Sequence, residues 1–142
     1  MIDCFDGEYA FLSNFYEHPI QYNGIVYPTN EHFFQAMKTL KEEERKMIVA
    51  APTPGIAKRL GRKVALRADW EQVKYDIMLL ALRLKFCDKE LREKLRKTGD
   101  EELVEGTTWH DNIWGNCSCE RCRHTPGQNW LGKLLMQVRN EI

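Results

Sequence analysis

Three short groups of residues in this chain have the types and spacing that could do chemistry. In Glu31-His32-Phe33-Phe34-Gln35-Ala36-Met37-Lys38, the residues Glu31, Gln35 and Lys38 stand at i, i+4 and i+7. On a helix that spacing puts a carboxylate, an amide and an amine on one face. Phe34, Met37 and Ala36 fall on other faces and can anchor the helix in a core. Burial would lower the pKa of Lys38 and a close Glu31 would raise it; the sequence leaves that balance open. A partly desolvated lysine is a nucleophile towards an aldehyde-like carbon. A solvated glutamate–lysine pair is the plainer alternative.

The second group, Trp109-His110-Asp111-Asn112-Ile113-Trp114-Gly115, puts an acid between two large aromatics. Tryptophan in a loop either packs or stacks, and stacking on a base contributes about 1–3 kcal/mol. Asp111 is a candidate acid–base group or ribose ligand, or it forms an Asx-turn beneath a core tryptophan. The third group, Cys117-Ser118-Cys119-Glu120-Arg121-Cys122-Arg123-His124, offers four soft ligands in the order C-x-C-x2-C-x-H. Cys117, Cys119, Cys122 and His124 suit a closed tetrahedral zinc site, with Arg121 and Arg123 offsetting thiolate charge; reduced thiols in a solvated loop are the alternative. A closed site leaves no position for metal catalysis. Two weaker signals accompany these groups. Asn14, in Leu12-Ser13-Asn14-Phe15-Tyr16, is either a turn-former or a reader of a base or ribose edge, while Phe15 and Tyr16 suit a core. Lys58, Arg59, Arg62, Lys63 and Arg67 form either a solvated basic face or a diphosphate grip, with Arg59, Lys63 and Arg67 co-facial on a continuous helix.

These groups need elements to hold them. Ile20-Gln21-Tyr22, Asn23-Gly24 and Ile25-Val26-Tyr27 form a hairpin pattern, because Asn-Gly supplies the positive φ angles of a type I′ turn. Tyr9–Phe11 has the character of a short strand. Pro28-Thr29-Asn30 stops the second hairpin strand and offers an N-cap for a helix over about Glu31–Leu40. Further helices are expected over Lys41–Ala51, from Thr53-Pro54 up to an interruption at Gly61, and over Trp70–Phe86 after an Asp69 cap. In the last of these, Val73, Ile77, Leu80/Ala81 and Leu84 make the inward stripe. Asp88 caps another helix to about Lys97, closed by Thr98-Gly99. Trp109–Gln128 reads as a long loop, and Asn129–Glu141 as a final helix with Leu131, Leu134, Leu135 and Val138 inward. His32 and His110 suit structural roles. The fold class is α+β, mostly helical, a single domain over 1–142 with a small N-terminal antiparallel sheet.

Composition narrows the partners. The chain has 142 residues, 43% of them apolar, and balances 21 basic against 21 acidic side chains. The signs are unevenly spread. Residues 1–40 carry Asp3, Asp6, Glu8, Glu17 and Glu31 against Lys38 alone, whereas residues 41–100 carry 16 basic against 10 acidic side chains. A positive middle on a neutral chain suits phosphate groups better than bulk duplex DNA. No apolar run is long enough for a membrane helix, and the N-terminus has no secretory pattern. Five cysteines, three of them between 117 and 122, make a poor disulfide framework and point to a reducing, cytoplasmic setting.

In order along the chain, these stretches make a pattern. Tyr9-Ala10-Phe11-Leu12-Ser13-Asn14-Phe15, Tyr27-Pro28-Thr29-Asn30-Glu31-His32, Gln35-Ala36-Met37-Lys38 and Ala57-Lys58-Arg59-Leu60-Gly61-Arg62 are followed by Leu103-Val104-Glu105. Asp111-Asn112-Ile113-Trp114-Gly115 and Gly127-Gln128-Asn129-Trp130-Leu131-Gly132-Lys133-Leu134-Leu135-Met136 complete it. The sequence resembles the NADAR family over nearly its whole length. That resemblance implies an N-glycosidase that cleaves an exocyclic amine from ribose C1′. One family substrate class is a phosphorylated ribosylaminopyrimidine of early flavin synthesis. Another is ADP-ribose on the 2-amino group of guanine, including guanine in single-stranded DNA. It further implies Lys38 as the amine that captures C1′ through an imine, Glu31 as proton shuttle, and Asp111 serving the ribose hydroxyls or activating water. Asn14, Phe15, Gln35, Arg62, Trp114, Gly115 and Asn129 are the expected substrate contacts. Catalysis would need no cofactor, and zinc rests on ligand spacing alone. A non-catalytic ADP-ribose reader and a zinc-stabilised nucleic-acid or protein adaptor are the competing classes.

Overall fold

Asn23 and Gly24 adopt φ angles of 51° and 78°, the left-handed pair that a tight hairpin requires. They join β1 (Ile20–Tyr22) to β2 (Ile25–Tyr27) in an antiparallel pair with Ile20 opposite Tyr27 and Tyr22 opposite Ile25. The chain then enters α1 (Asn30–Ala36), capped by the Thr29 hydroxyl, which accepts the His32 N–H at 3.2 Å. The computed structural model describes residues 1–142 and continues through α2 (Glu42–Val49), α3 (Pro54–Gly61), α4 (Trp70–Lys85), α5 (Lys89–Lys97) and α6 (Trp130–Glu141). Two short strands, β3 (Gly106–Thr107) and β4 (Asn116–Cys117), pair in parallel ahead of α6. The architecture is mostly helical with a small antiparallel sheet near the N-terminus, as the sequence patterns imply. None of its helices is long and apolar enough to cross a membrane.

The chain forms two compact units. The unit Asn14–Lys85 is built around α1, which packs on α2, α3, α4 and β2. Every residue of α1 is buried, so its seven residues form the centre of the unit. Phe33 stands edge-on to Tyr27 and Tyr22, with ring centroids 5.0 and 5.6 Å apart. His32 is structural, as expected. Its Nε2–H donates to Ala51 O at 2.9 Å, its Nδ1 lies 2.8 Å from the Thr29 hydroxyl, and it thereby ties α1 to the end of α2. α3 opens as its sequence implies: Thr53 accepts the Ile56 N–H at 3.1 Å, and Pro54 sits in the first turn.

Two expectations in this unit are corrected. α1 ends at Ala36 rather than at Leu40. The carbonyls of Met37 and Lys38 accept bonds from Arg67 (3.4 Å from Nη1 and 2.8 Å from N), and Thr39 O accepts Arg45 Nε at 2.8 Å. Side-chain and backbone donors from later in the chain thus take the acceptors that a longer helix would use. The inward face of α4 is Trp70, Lys74, Met78, Ala81, Leu82 and Lys85, with Val73, Ile77, Leu80 and Leu84 only half-buried beside it. The two lysines bury their stems, which hid that face from a hydrophobic count. Asp69 stands directly before α4, where its carbonyl accepts the Val73 N–H at 3.1 Å, and its carboxylate is bound to Arg67 at 2.6 and 3.1 Å.

The second unit comprises Met1–Ser13 and Phe86–Ile142. Its first element is a 3-10 helix over Gly7–Leu12, in place of the strand expected at Tyr9–Phe11. Gly7, at φ 54°, turns the chain so that Tyr9 N–H reaches Asp6 O at 2.9 Å. Ile2 bridges to Leu103 in parallel. Phe11 meets Phe86 edge-on at 6.4 Å, and Leu91, Leu95, Leu103, Leu131, Leu134, Leu135 and Val138 are buried. Asp88 caps α5 by accepting the Leu91 N–H at 3.0 Å, and Gly99 ends the following turn at φ 61°, both as the sequence implies. The expected loop 109–128 contains β4, whose two residues carried no period that a sequence reading could detect.

Candidate active site

Within the unit Asn14–Lys85, α1 and the turn after it gather the polar residues that the sequence singles out. Glu31, in the first turn of α1, is 7% exposed, and its Oε1 accepts a 2.8 Å hydrogen bond from Gln35 Nε2. One helical turn explains that contact: i and i+4 side chains are neighbours. Gln35 can stand there because Gly61 of α3 has no side chain; a Cβ at Gly61 would fall on Gln35 Oε1 and lie 2.8 Å from its Cδ. Asn14 joins through its backbone, whose carbonyl accepts the Glu31 N–H at 3.0 Å.

Lys38 lies beyond the end of α1, so it does not share a helical face with Glu31 and Gln35 in the strict sense. It is half-buried all the same. Its Nζ lies 5.8 Å from the Phe34 ring centre and 5.9 Å from that of Trp70, and these rings meet at 5.1 Å. Burial holds the amine below the ordinary lysine value, Glu31 draws it back up, and the charges of Arg62 and Lys58 add to the lowering. The sequence left the balance between burial and Glu31 open; burial is the larger effect. An amine of this kind has a larger neutral, nucleophilic fraction than a solvated lysine.

Buried polar groups are rarely left without partners. Here Asn14 Oδ1, Gln35 Oε1 and both amide atoms of Asn30 find no partner within the protein. Asn14 and Asn30 are 7% and 1% exposed. These unpartnered atoms lie in or next to the segment that carries Glu31. Phe15, whose type suits a core and for which the family resemblance implies a substrate contact, is 43% exposed. Of the basic cluster, Lys58 and Arg62 act on Lys38, while the Arg67 guanidinium is taken up by Asp69 and the Met37 carbonyl. α3 ends at Gly61, so Arg59, Lys63 and Arg67 do not form the helical row expected of them.

The other expected residues fall in the second unit, where most are engaged by backbone. Asp111 Oδ1 accepts the N–H groups of Ile113 (3.1 Å) and Trp114 (2.9 Å), an Asx-turn that fixes the start of the Trp114 segment. Asn129, at φ 51°, donates from Nδ2 to Leu103 O at 2.9 Å and accepts the Glu105 N–H at 3.0 Å. Gly115 and Gly127 permit close approach: a Cβ on Gly115 would collide with Glu105 O, and one on Gly127 with Gly115 O. Asn129 and Gly115 are thus explained by local architecture. In the same unit His110, Cys117, Cys119 and Cys122 bring their ligand atoms within 4.8 Å of one another and could hold a metal ion. His124, expected as the fourth member, is exposed and accepts from Arg123 Nε at 3.2 Å instead. The residues missed in the sequence are Trp70, Gly61, Asn30 and His110. Only Gly61 carried a signal, a glycine at the end of a helix, and that signal pointed to helix termination.

A NADAR domain model matches residues 4–142. The chain is 41% identical over 138 residues to N-glycosidase YbiA of Escherichia coli, covering 95% of this chain and 82% of that one. The solution structure of the Escherichia coli YbiA protein superposes with a TM-score of 0.82 at 39% identity, covering 99% of this chain and 84% of its own. A riboflavin biosynthesis protein of Vibrio vulnificus is 33% identical over 140 residues, which is 96% of this chain but 36% of that longer protein. The chain belongs to the NADAR family. It is an enzyme of the N-glycosidase class.

Proposed function

We propose that the enzyme hydrolyses the bond between a ribosyl C1′ and an exocyclic amine, with Lys38 as the group that captures C1′. The observation that carries this reading is the Lys38 amine, half-buried against Phe34 and Trp70, held below its ordinary pKa by burial, and within the field of Glu31. A C1′ that bears an exocyclic nitrogen opens its ring to an imine. Addition of neutral Nζ to C1′ forms a new carbon–nitrogen bond. The two Nζ protons pass to the departing nitrogen, through Glu31; the original carbon–nitrogen bond breaks, the base leaves as its free amine, and C1′ is left as an imine of Lys38. Water then adds to C1′, the bond to Nζ breaks, and the sugar aldehyde recloses. One water is consumed, the lysine is regenerated, and no cofactor takes part.

Gln35 holds Glu31 in place. Asn14 Oδ1 and Asn30, lacking protein partners, suit the ribose hydroxyls, and Arg62 with Lys58 suits a phosphate on the sugar. The exposed Phe15 ring suits stacking on the base. Asp111 is a positioning residue for the Trp114 segment. Two leaving groups satisfy this chemistry: a ribosylaminopyrimidine phosphate, in keeping with the riboflavin-biosynthesis relative, and ADP-ribosylated guanine, in single-stranded DNA or free. Five free thiols support a reducing, cytoplasmic setting for the reaction.

The test is borohydride reduction during turnover of each substrate, followed by peptide mass analysis. A sugar-derived mass is expected on the peptide containing Lys38. Lys38→Ala is expected to lose at least about a thousandfold in kcat/KM, the scale typical of an essential nucleophile. Undiminished turnover by Lys38→Ala would remove the covalent route, and tight binding of both substrates without turnover would favour a reader. The ratio of kcat/KM values for the two substrates assigns the leaving group.

A further inference from the structure

The strongest feature outside that chemistry is the cluster of three thiols and an imidazole in the second unit. Its ligand atoms all lie within 4.8 Å of one another, and His110 Nδ1 is 3.3 Å from both Cys119 Sγ and Cys122 Sγ. Four ligands at about 2.0–2.3 Å from one zinc ion stand about 3.5–3.8 Å apart at the corners of a tetrahedron. The cluster therefore reaches that geometry with small side-chain movements. Backbone already fixes its members. Cys117 lies on β4, Cys122 N–H donates to Cys119 O at 3.1 Å in a tight turn, and His110 N–H donates to Cys117 Sγ at 3.3 Å. Amide-to-sulfur bonds of this kind steady a thiolate ligand. Cys117 and Cys122 are buried and all three thiols are free, so converging soft ligands, rather than a disulfide, explain why the chain brings them together.

We propose that His110 Nδ1 and the sulfurs of Cys117, Cys119 and Cys122 bind one Zn²⁺ in a closed, four-coordinate structural site. Binding releases three thiol protons to solvent and leaves a site of net charge −1, flanked in sequence by Arg121 and Arg123. With four protein ligands it has no open position, which separates it from the lysine chemistry and makes its role mechanical. The ion joins His110 to a turn twelve residues later. Asp111, the next residue after His110, holds Trp114 through its Asx-turn, and Asn112 Oδ1 accepts the Cys117 N–H at 2.8 Å. The metal would thereby staple the whole segment from His110 to Cys122.

The test uses the full chain purified from zinc-supplemented medium, with metal content measured by elemental mass spectrometry. About one equivalent of zinc is expected in the wild type and in His124→Ala, and less than about a tenth in Cys119→Ser and His110→Ala. Should either of the last two variants fail to fold, cobalt replacement in the wild type decides. Co²⁺ bound in this site gives intense thiolate-to-cobalt absorption in the near ultraviolet and the visible bands of a tetrahedral ion. Wild-type protein with less than about a tenth of an equivalent of zinc and no such absorption overturns the proposal, as does iron in place of zinc. Loss of metal from His124→Ala with retention in His110→Ala would overturn the ligand set.

Discussion

At the scale of single residues, the proposed chemistry depends on how the Lys38 proton is held. Burial disfavours the ammonium form, Glu31 favours it, and Arg62 and Lys58 disfavour it again. A base-form nucleophile gives a kcat/KM that rises with pH until its pKa is passed and then levels off. Because the folded value lies below that of an ordinary lysine, the rising limb is expected below the usual lysine range. Glu31→Gln removes the one attraction that raises it, so the limb should move to lower pH while the plateau falls through loss of the proton shuttle. A limb that stays put, or moves to higher pH, would show that Glu31 does not act on Lys38. Stability supplies a second check. A lysine whose pKa is lowered by folding costs stability that grows as pH falls below its unfolded value, so Lys38→Met should leave the melting temperature at neutral pH unchanged or raised while it abolishes turnover. The types of these residues were legible in the sequence, because a carboxylate and an amine seven positions apart suggest cooperation. The pairing of Lys38 with Trp70, thirty-two residues away, was not, since no local pattern encodes which ring covers an amine.

At the scale of elements, the shortness of α1 and the nearness of α3 do most to shape the site. α1 has seven residues, too few to be stable alone, and owes its form to burial on all sides and to the Thr29 cap. Its Gln35 occupies space that any side chain at position 61 would claim. Gly61→Ala should push Gln35 off Glu31, with a stability loss of about 1–3 kcal/mol from overpacking and a fall of about tenfold or more in kcat/KM. Gln35→Ala should cost activity by itself, and in the double variant the two activity losses should fail to add, because both act on one contact. Full additivity would mean that Gly61 affects activity by some other path. The sequence placed the cap, the hairpin and the start of α3 correctly because those are local devices of two to four residues. It misplaced the end of α1 and the inward face of α4 because Arg67 and the stems of Lys74 and Lys85 settle them from a distance.

At the scale of the whole molecule, charge discriminates between gripping one nucleotide and tracking a strand. The chain is neutral overall, yet 16 of its 21 basic residues fall between 41 and 100. The order of motifs along the chain was enough to expose the family. The parallel β3–β4 pair and the exchange of His124 for His110 were beyond it, since both arise from a loop folding on itself. A protein that follows single-stranded DNA neutralises many phosphates, and its affinity falls with salt at a log–log slope of about −0.7 per contact. An enzyme whose phosphate contacts are Arg62 and Lys58 has one or two. For cleavage of ADP-ribosylated guanine in single-stranded DNA, log(kcat/KM) against log(salt) should therefore slope no more steeply than about −1.5. Arg62→Gln should raise KM more than it lowers kcat and flatten that slope by about 0.7, because it removes one contact and leaves the chemistry in place. A slope steeper than about −4 would show that the protein holds a tract of strand, and the basic middle third would then be a nucleic-acid track rather than a seat for one sugar phosphate.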